Sequence, residues 1–344
     1  MQYQSYQLRA GSLKNLQKVH ATLPPPAPHE VTVATEAIGL NFADIFAIWG
    51  LYGATPPGVF IPGLEYAGTI VQVGAAVATV KVGDKIMGLT RFGAYTTHLN
   101  IDHRYVVPLP AGWSFAQGAA YLVQAFTAYY ALKELGNLKP GQTVLIHSAA
   151  GGVVILAGRI AKKMGAYAIG TVGNSSKVDF LLQEEGYDQV IVRSQNTFTE
   201  DLKKSLGGRE LNLILDSIGG KYFTMGFNVL AQMGRVVTYG SARYASVGDR
   251  PNYLRLLYYF LTRPKVDPQK LPEKNKGVLG FNLIWLYDRV ELMNELLIEL
   301  QAMDIGVPYV GHTFAFDELP AAVKLFMSGK TMGKVVVVVN GRKE

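Results

Sequence analysis

Two short stretches of this sequence carry the residue types that hold a phosphorylated ligand. Val144-Leu-Ile-His147 reads as a buried strand that runs into Ser148-Ala-Ala-Gly-Gly-Val-Val154 and then a helical pattern. Small residues between a strand and a helix let the main chain approach a pyrophosphate, which the free N–H groups of the helix N-terminus then hold. Ala150, Gly151, Gly152 and Val153 are therefore the candidate phosphate contacts. An ordinary tight turn is the alternative; the flanking strand and helix are the context that favours phosphate. Val154 stands where a third small residue is expected, and a β-branched side chain there would crowd either the phosphates or the helix–strand packing.

The next strand narrows the ligand. A dinucleotide with a free ribose 2′-hydroxyl needs an Asp or Glu at that strand end, about 20 residues past the glycines. Here the strand ends Gly170-Thr-Val-Gly-Asn-Ser-Ser-Lys177, with no acid before Asp179. Asn174, Ser175, Lys177 and, after the third strand, Arg193 would instead suit a 2′-phosphate, so NADPH is expected over NADH. The competing reading makes Lys177 and Arg193 ordinary solvated charges.

Composition removes other chemistries. The chain has no cysteine, hence no thiolate nucleophile, iron–sulfur cluster or Cys-bound zinc. Its six histidines (His20, His29, His98, His103, His147, His312) show no metal-like spacing. With 344 residues, 49% hydrophobic and 17% charged, it reads as about two globular domains at ~150 residues each, not as a disordered or fibrous chain. The net charge of +7 favours acidic partners in general and identifies none. The first residues lack the basic and apolar regions of a signal peptide, and no apolar run reaches the ~20 residues of a membrane span. A soluble, cytoplasmic protein is expected.

The elements that must position these residues fall into two textures. Up to about residue 123, short β-rich runs (Val31–Ile38, Gly68–Val73, Lys85–Leu89, Tyr95–Ile101) alternate with Gly and Pro turns. From residue 124 to 277, strands at Val144–His147, Tyr167–Val172, Gln189–Val192, Leu211–Leu215 and Val236–Tyr239 alternate with helices, the order of a doubly wound parallel sheet. A helix is expected over Tyr129–Leu138. Residues 249–276 interrupt the rhythm with seven Lys or Arg against three acids and a patch Tyr253-Leu-Arg-Leu-Leu-Tyr-Tyr-Phe260. Residues 278–344 give a strand Val278–Leu283, a helix Asp288–Met303, an Asp317-capped helix, and a last strand Lys334–Val339 that is apolar on both faces.

The chain resembles the medium-chain dehydrogenase/reductase superfamily, in its zinc-free quinone oxidoreductase branch. The resemblance rests on Gly39-Leu-Asn-Phe-Ala-Asp44, Gly50-Leu-Tyr52, Pro62-Gly-Leu-Glu-Tyr-Ala-Gly68, Val82-Gly-Asp84, Gln124-Ala-Phe-Thr-Ala-Tyr-Tyr-Ala131, Ala149-Ala-Gly-Gly152, Asp216-Ser-Ile-Gly-Gly220 and Gly333-Lys-Val-Val336. The 249–276 insert with Gly280-Phe-Asn-Leu283 looks most like the vesicle amine transport protein subgroup. The family implies an α/β architecture: a GroES-like β-rich substrate domain from the first 123 residues and the C-terminal return, a Rossmann NADP-binding domain between them, and a homodimer. Zinc enzymes of the superfamily carry Cys where this chain has Asn41 and His where it has Leu64, so no zinc is expected.

The resemblance also implies roles. Asn41 would donate to the acceptor oxygen, and Tyr52 would hydrogen-bond or protonate it. Thr127, Ser217, Gly240, Ser241, Phe281, Leu283 and Lys334 would contact the cofactor. A quinone or conjugated enone suits a metal-free site, because the charge left by hydride spreads into the ring or enolate. Each role has a plainer reading: Tyr52 as one of 19 tyrosines covering apolar surface, Thr127 as packing, Glu65 and Asp44 as structural carboxylates. An enoyl or carbonyl reductase with incidental quinone activity is the enzymatic alternative, and a catalytically weak binding protein on the same fold is the other. The insert would pack its apolar residues inward and solvate its charges, leaving nucleic acid or a membrane surface disfavoured as partners.

Overall fold

The computed structural model describes residues 1–339. The N-terminal part is β1 (Gln2–Arg9), β2 (Gln17–Thr22), β3 (Glu30–Gly39), helix α1 (Phe42–Trp49), β4 (Val59–Phe60), β5 (Glu65–Val73), β6 (Lys85–Leu89), β7 (His98–Asp102), β8 (Val106–Pro108) and the short helix α2 (Phe115–Gly118). Strands β1, β2 and β4 make a small antiparallel sheet. Residues along β3 are mostly buried, since it lies between β5 and β7 in the main sheet of this domain.

Helix α3 (Leu122–Tyr129) leads into β9 (Thr143–Ile146), α4 (Gly152–Lys163), β10 (Tyr167–Val172), α5 (Val178–Gln183), β11 (Gln189–Val192), α6 (Phe198–Leu206), β12 (Leu213–Asp216), α7 (Lys221–Val229), β13 (Arg235–Thr238), α8 (Tyr253–Leu261) and β14 (Gly277–Gly280). All the pairings within this sheet are parallel, in the order β11-β10-β9-β12-β13-β14. The strand order reverses between β10 and β12, on either side of β9. That is the switch point where a doubly wound sheet opens a crevice at its carboxyl edge. Strands β9 and β12 are buried at every position, as continuous apolar runs covered on both faces must be.

Helix α9 (Val290–Met303) packs back against α3. The chain then re-enters the first domain as β15 (Val310–Ala315), α10 (Leu319–Met327) and β16 (Lys334–Val338). Strand β16 pairs with β3, completing the sheet β15-β16-β3-β5-β6-β8. Its alternation ties the domains together: Val336 belongs to the core shared with the Rossmann helices, while Val335 and Val337 belong to the core of the substrate domain. All three are fully buried, each stabilising by about 1.5–3 kcal/mol.

Several local expectations change. The helix expected at Tyr129–Leu138 starts earlier, as α3, and continues as π-helical backbone over Tyr130–Leu135. Asn137, at φ 47, turns the chain out of it. The strand after the insert stops at Gly280, and Leu283 opens a 3-10 turn. Glu318, not Asp317, caps the turn before α10 by accepting from the Ala315 N–H at 2.9 Å, and Asp317 pairs with Lys18 at 2.7 Å. The largest departure is α8. Instead of packing inward, Leu254, Leu257, Tyr258 and Leu261 form an exposed stripe at i, i+3, i+4 and i+7, with 82% of Leu254 open to solvent.

Candidate active site

Parallel strands deliver their ends to one edge of the sheet. Five strand ends there carry the Ser148–Gly152 loop after β9, Asn174–Lys177 after β10, Arg193 after β11, Ser217–Gly220 after β12, and Gly240 with Ser241 after β13. Phe281 and Asn282 follow β14 at the same edge. Tyr52 of the substrate domain reaches this edge at Asn282, so these strand-end residues border the cleft between the two domains.

The loop after β9 is built for close approach. Ser148 sits at φ 61, a left-handed conformation costly for a non-glycine residue and therefore over-determined by its surroundings. Gly151 caps α4, and a Cβ on Gly152 would come within 3.2 Å of the Gln124 side chain. Gly333 of the C-terminal segment bridges the loop, donating to the Ala150 carbonyl at 2.8 Å. Val154 is only 3% exposed and lies in the core beneath the loop, outside the cleft. The close helix–strand contact falls instead at Gly158 and Gly170, which both lie against the Tyr187 ring, and Tyr187 donates to the Val154 carbonyl at 2.6 Å.

Lys177 stands close enough to Arg193 to feel its charge. Burial and then the Arg193 charge push the Lys177 ammonium below its ordinary range. Lys177 donates to the Thr331 carbonyl at 2.7 Å, and Arg193 to Thr171 Oγ1 at 3.1 Å, with its guanidinium over the Tyr222 ring. Neither has a carboxylate partner among the described residues. Asn174 turns its side chain to the Ser176 N–H at 2.9 Å, and Ser175 is exposed in the same turn.

Beneath the cleft lies a buried polar cluster. The Lys334 ammonium donates to Glu65 Oε1, to Asn41 Oδ1 at 2.9 Å and to Gln124 Oε1 at 2.9 Å, using all three of its hydrogens. Asn41 Nδ2 donates to Glu65 Oε1 at 2.9 Å and to the Gly39 carbonyl at 3.2 Å. The Val123 N–H donates to Glu65 Oε2 at 3.2 Å. The cluster joins β16, β5, the start of α1 and α3, and thus both domains. Burial pushes the Lys334 ammonium down, against the pull of Glu65.

Asp44 adjoins this cluster. It accepts from the Asn41 N–H at 2.8 Å and the Tyr95 hydroxyl at 2.9 Å, while its Oδ1 has no partner. Burial raises its pKa to about 7. Between the ordinary aspartate value of 3.8 and about 7, the native state holds a proton that the unfolded chain has released, so this group's contribution to stability falls as pH rises through that window. Asp44→Asn is therefore expected to flatten the fall of Tm between pH 4 and 7; an unchanged slope would count against the assignment.

Tyr52 comes from the other side. Gly50, at φ 73, ends α1, and Thr55 pins the following turn through the Tyr52 carbonyl, at 2.9 Å from its N–H and 2.6 Å from its hydroxyl. The phenol of Tyr52 then reaches across the cleft and donates to Asn282 Oδ1 at 2.7 Å. Burial pushes its pKa up to about 12, with the Asn282 contact pulling slightly downward.

Sequence relatives agree with this construction. The alcohol dehydrogenase GroES-like domain model matches residues 27–111, and the zinc-binding dehydrogenase model matches 152–265. The synaptic vesicle membrane protein VAT-1 homolog of Homo sapiens is 33% identical over 332 residues, covering 96% of this chain and 84% of that protein. The chain belongs to the medium-chain dehydrogenase/reductase family, in its quinone-oxidoreductase-like branch. Quinone oxidoreductase 1 of Escherichia coli is 36% identical over 261 residues, 75% of this chain and 79% of that one. The structure of Escherichia coli quinone oxidoreductase complexed with NADPH superposes with a TM-score of 0.82 at 28% identity, covering 98% and 100% of the two chains.

A medium-chain dehydrogenase of the zinc type would place a metal near Asn41. These residues do not fit one: the amide of Asn41 and the alkyl chain of Leu64 stand at the ligand positions, and the Lys334 ammonium already occupies the anionic pole of Glu65. The dinucleotide fits better. At the α4 N-terminus, the Val153 N–H has no partner among the described residues, while the bridge to Gly333 engages the backbone just before it, and the Lys177–Arg193 pair supplies charge for a phosphate.

Not every residue singled out in the sequence reaches the cleft as expected. Asn41 and Lys334 have spent their polar hydrogens in the buried cluster, so neither is free to donate to an acceptor or a phosphate. Thr127 is buried on α3, one turn beyond Gln124. Ser217, Gly240, Ser241, Phe281 and Leu283 stay partly open along the cleft edge, Phe281 packing against Tyr130 at 5.0 Å. Gln124, Asn282 and Arg243 were missed. Gln124 shares a helix face with Thr127 at i, i+3, a signal the sequence did contain. Arg243 lies over Gly220, where a Cβ would come within 2.2 Å of its Nη1, and it donates to the Tyr259 carbonyl, tying α8 to the cleft.

Proposed function

We propose that this chain is an NADPH-dependent reductase that delivers hydride to a quinone or conjugated enone without a metal ion. The observation that carries the reading is one cleft bounded by an acid-free cation pair, Lys177 and Arg193, and by the Tyr52 phenol at its other end. When bound, the cofactor supplies the hydride. The α4 N-terminus and the Gly151–Gly152 backbone hold the pyrophosphate, and Lys177, Arg193 and Ser175 take the 2′-phosphate. Thr127, Ser217, Gly240, Ser241, Phe281 and Leu283 shape the channel for the nicotinamide. Asn41 and Lys334 position the cleft floor from below. Tyr52, still protonated at neutral pH, gives its hydrogen to the reduced oxygen.

The reading is tested by following NADPH loss at 340 nm with a panel of benzoquinones, naphthoquinones, enones and simple ketones. Turnover of quinones or enones with ketones left unreduced is expected. Turnover of ketones alone would contradict it and point instead to a carbonyl reductase, in which a proton donor polarises the saturated carbonyl.

The assembly we propose is a homodimer. Strand β14 is an edge strand of the Rossmann sheet, and α8, which precedes it, leaves its Leu254–Leu257–Tyr258–Leu261 stripe in solvent. A second copy would cover both an open sheet edge and this stripe. Paired Leu254→Asp and Leu257→Asp substitutions are expected to give a monomer by sedimentation velocity; an unshifted dimer would show that α8 lies outside the interface.

A further inference from the structure

We infer that Asn282 is the positioning residue for Tyr52, holding the phenol across the cleft and turning it toward the acceptor oxygen by a flip of its side-chain amide. The inference rests on Tyr52 being the proton donor.

Asn282 stands at the N-cap of the 3-10 turn Leu283–Leu286, with extended backbone at φ −138 and ψ 123. An Asn there ordinarily turns its oxygen back onto the first N–H groups of the turn. Here it makes no such bond, and Oδ1 goes to Tyr52 at 2.7 Å. The side chain has given up a local cap for a partner 230 positions away in the other domain.

The segment carrying Asn282 is fastened to the substrate domain. Arg91 donates to the Ile284 carbonyl at 3.3 Å and to Asp288 at 2.8 Å, and Tyr105 stacks on Tyr287 at 4.0 Å. The Tyr52 ring is held as well. Phe92 lies edge-on to it at 6.3 Å and also against Phe60 at 5.4 Å. Phe92 adopts φ 81, a strained backbone for an aromatic residue, and Thr90 fixes it by donating to its carbonyl at 2.5 Å. With both partners clamped, the freedom left at this contact is the phenol hydrogen and the orientation of the Asn282 amide.

That freedom is what a donor needs. In the structure the phenol hydrogen is spent on Asn282 Oδ1, while Asn282 Nδ2 donates to no atom among the described residues. A half-turn of the amide exchanges Oδ1 for Nδ2 at almost no change in shape. The phenol hydrogen is then free to point at the acceptor. When it leaves, the O–H bond of Tyr52 breaks and an O–H bond forms on the reduced oxygen. The bonding pair stays on the Tyr52 oxygen as phenolate, which Nδ2–H now stabilises. Water returns the proton.

The test is a double-mutant cycle with NADPH and 1,4-benzoquinone, run in parallel with a conjugated enone, on wild type, Tyr52→Phe, Asn282→Ala, Asn282→Asp and Tyr52→Phe/Asn282→Ala. Asn282→Ala and Asn282→Asp are each expected to lower kcat by about 10–100-fold, as loss of positioning does, with KM for the acceptor nearly unchanged. Asp fills the same space and retains an acceptor but offers no N–H. In the Tyr52→Phe background the Asn282→Ala effect should vanish. An equal loss in both backgrounds, an unchanged kcat in the single variants, or full activity in Asn282→Asp overturns the inference and leaves Tyr52 as donor. Full activity in Tyr52→Phe, or no NADPH oxidation by wild type with either acceptor, overturns the Tyr52 reading and this inference with it.

Discussion

Lys334→Met is expected to lower the apparent unfolding free energy by about 3–5 kcal/mol, the cost of stranding one partner of a buried ion pair. Lys334 and Glu65 are 3% and 1% exposed, so neither charge has water to fall back on. Without the ammonium, Glu65 keeps donors from Asn41, Gln124 and Val123 but loses its only compensating cation among the described residues. Methionine fills much of the lysine volume, so the loss is electrostatic and not a cavity. The double variant Glu65→Gln/Lys334→Met removes both charges and should recover most of the stability, because a neutral pair carries no desolvation debt. Urea denaturation of the three proteins checks this. A single variant as stable as wild type would show that the cluster contributes little.

Tyr52→Phe is expected to lower kcat/KM for quinone reduction by about 100-fold or more, within the range for loss of a positioned general acid. Phenylalanine preserves the ring packed against Phe92, so the fold should change little. The phenol pKa, pushed up to about 12, keeps the hydroxyl protonated through the working pH range. Wild-type activity should therefore show no loss from Tyr52 ionisation between pH 7 and 10. Steady-state rates across that range check both points, and a Tyr52→Phe enzyme with wild-type rates throughout would remove the donor from the account.

The features legible in the sequence were those governed by local rules. Strand–glycine–helix order placed the β9 loop and α4 at the switch point. The two-faced apolar run 334–338 marked a buried strand. What escaped depended on long-range closure. Asn282 and Tyr52 meet only because two domains fold together, and no spacing reports a contact across 230 residues. The resemblance makes Lys334 a cofactor contact, yet β16 carries it under the cleft floor to Glu65. Val154 looked like an obstruction because the usual close contact was assumed to fall there. The chain moves that contact to Gly158, where the Tyr187 ring takes up the space. Helix α8 has the amphipathic spacing of a packed helix, but within one copy nothing covers its apolar stripe.

The most direct test is a fluorescence titration of the protein with NADPH and with NADH, in wild type and in Lys177→Ala. The cleft described here predicts that wild type binds NADPH at least about tenfold more tightly than NADH, the scale of one charge-assisted contact to a phosphate, and that Lys177→Ala closes most of that gap. Equal affinity for the two dinucleotides, or an NADPH preference that survives in Lys177→Ala, would contradict the central claim.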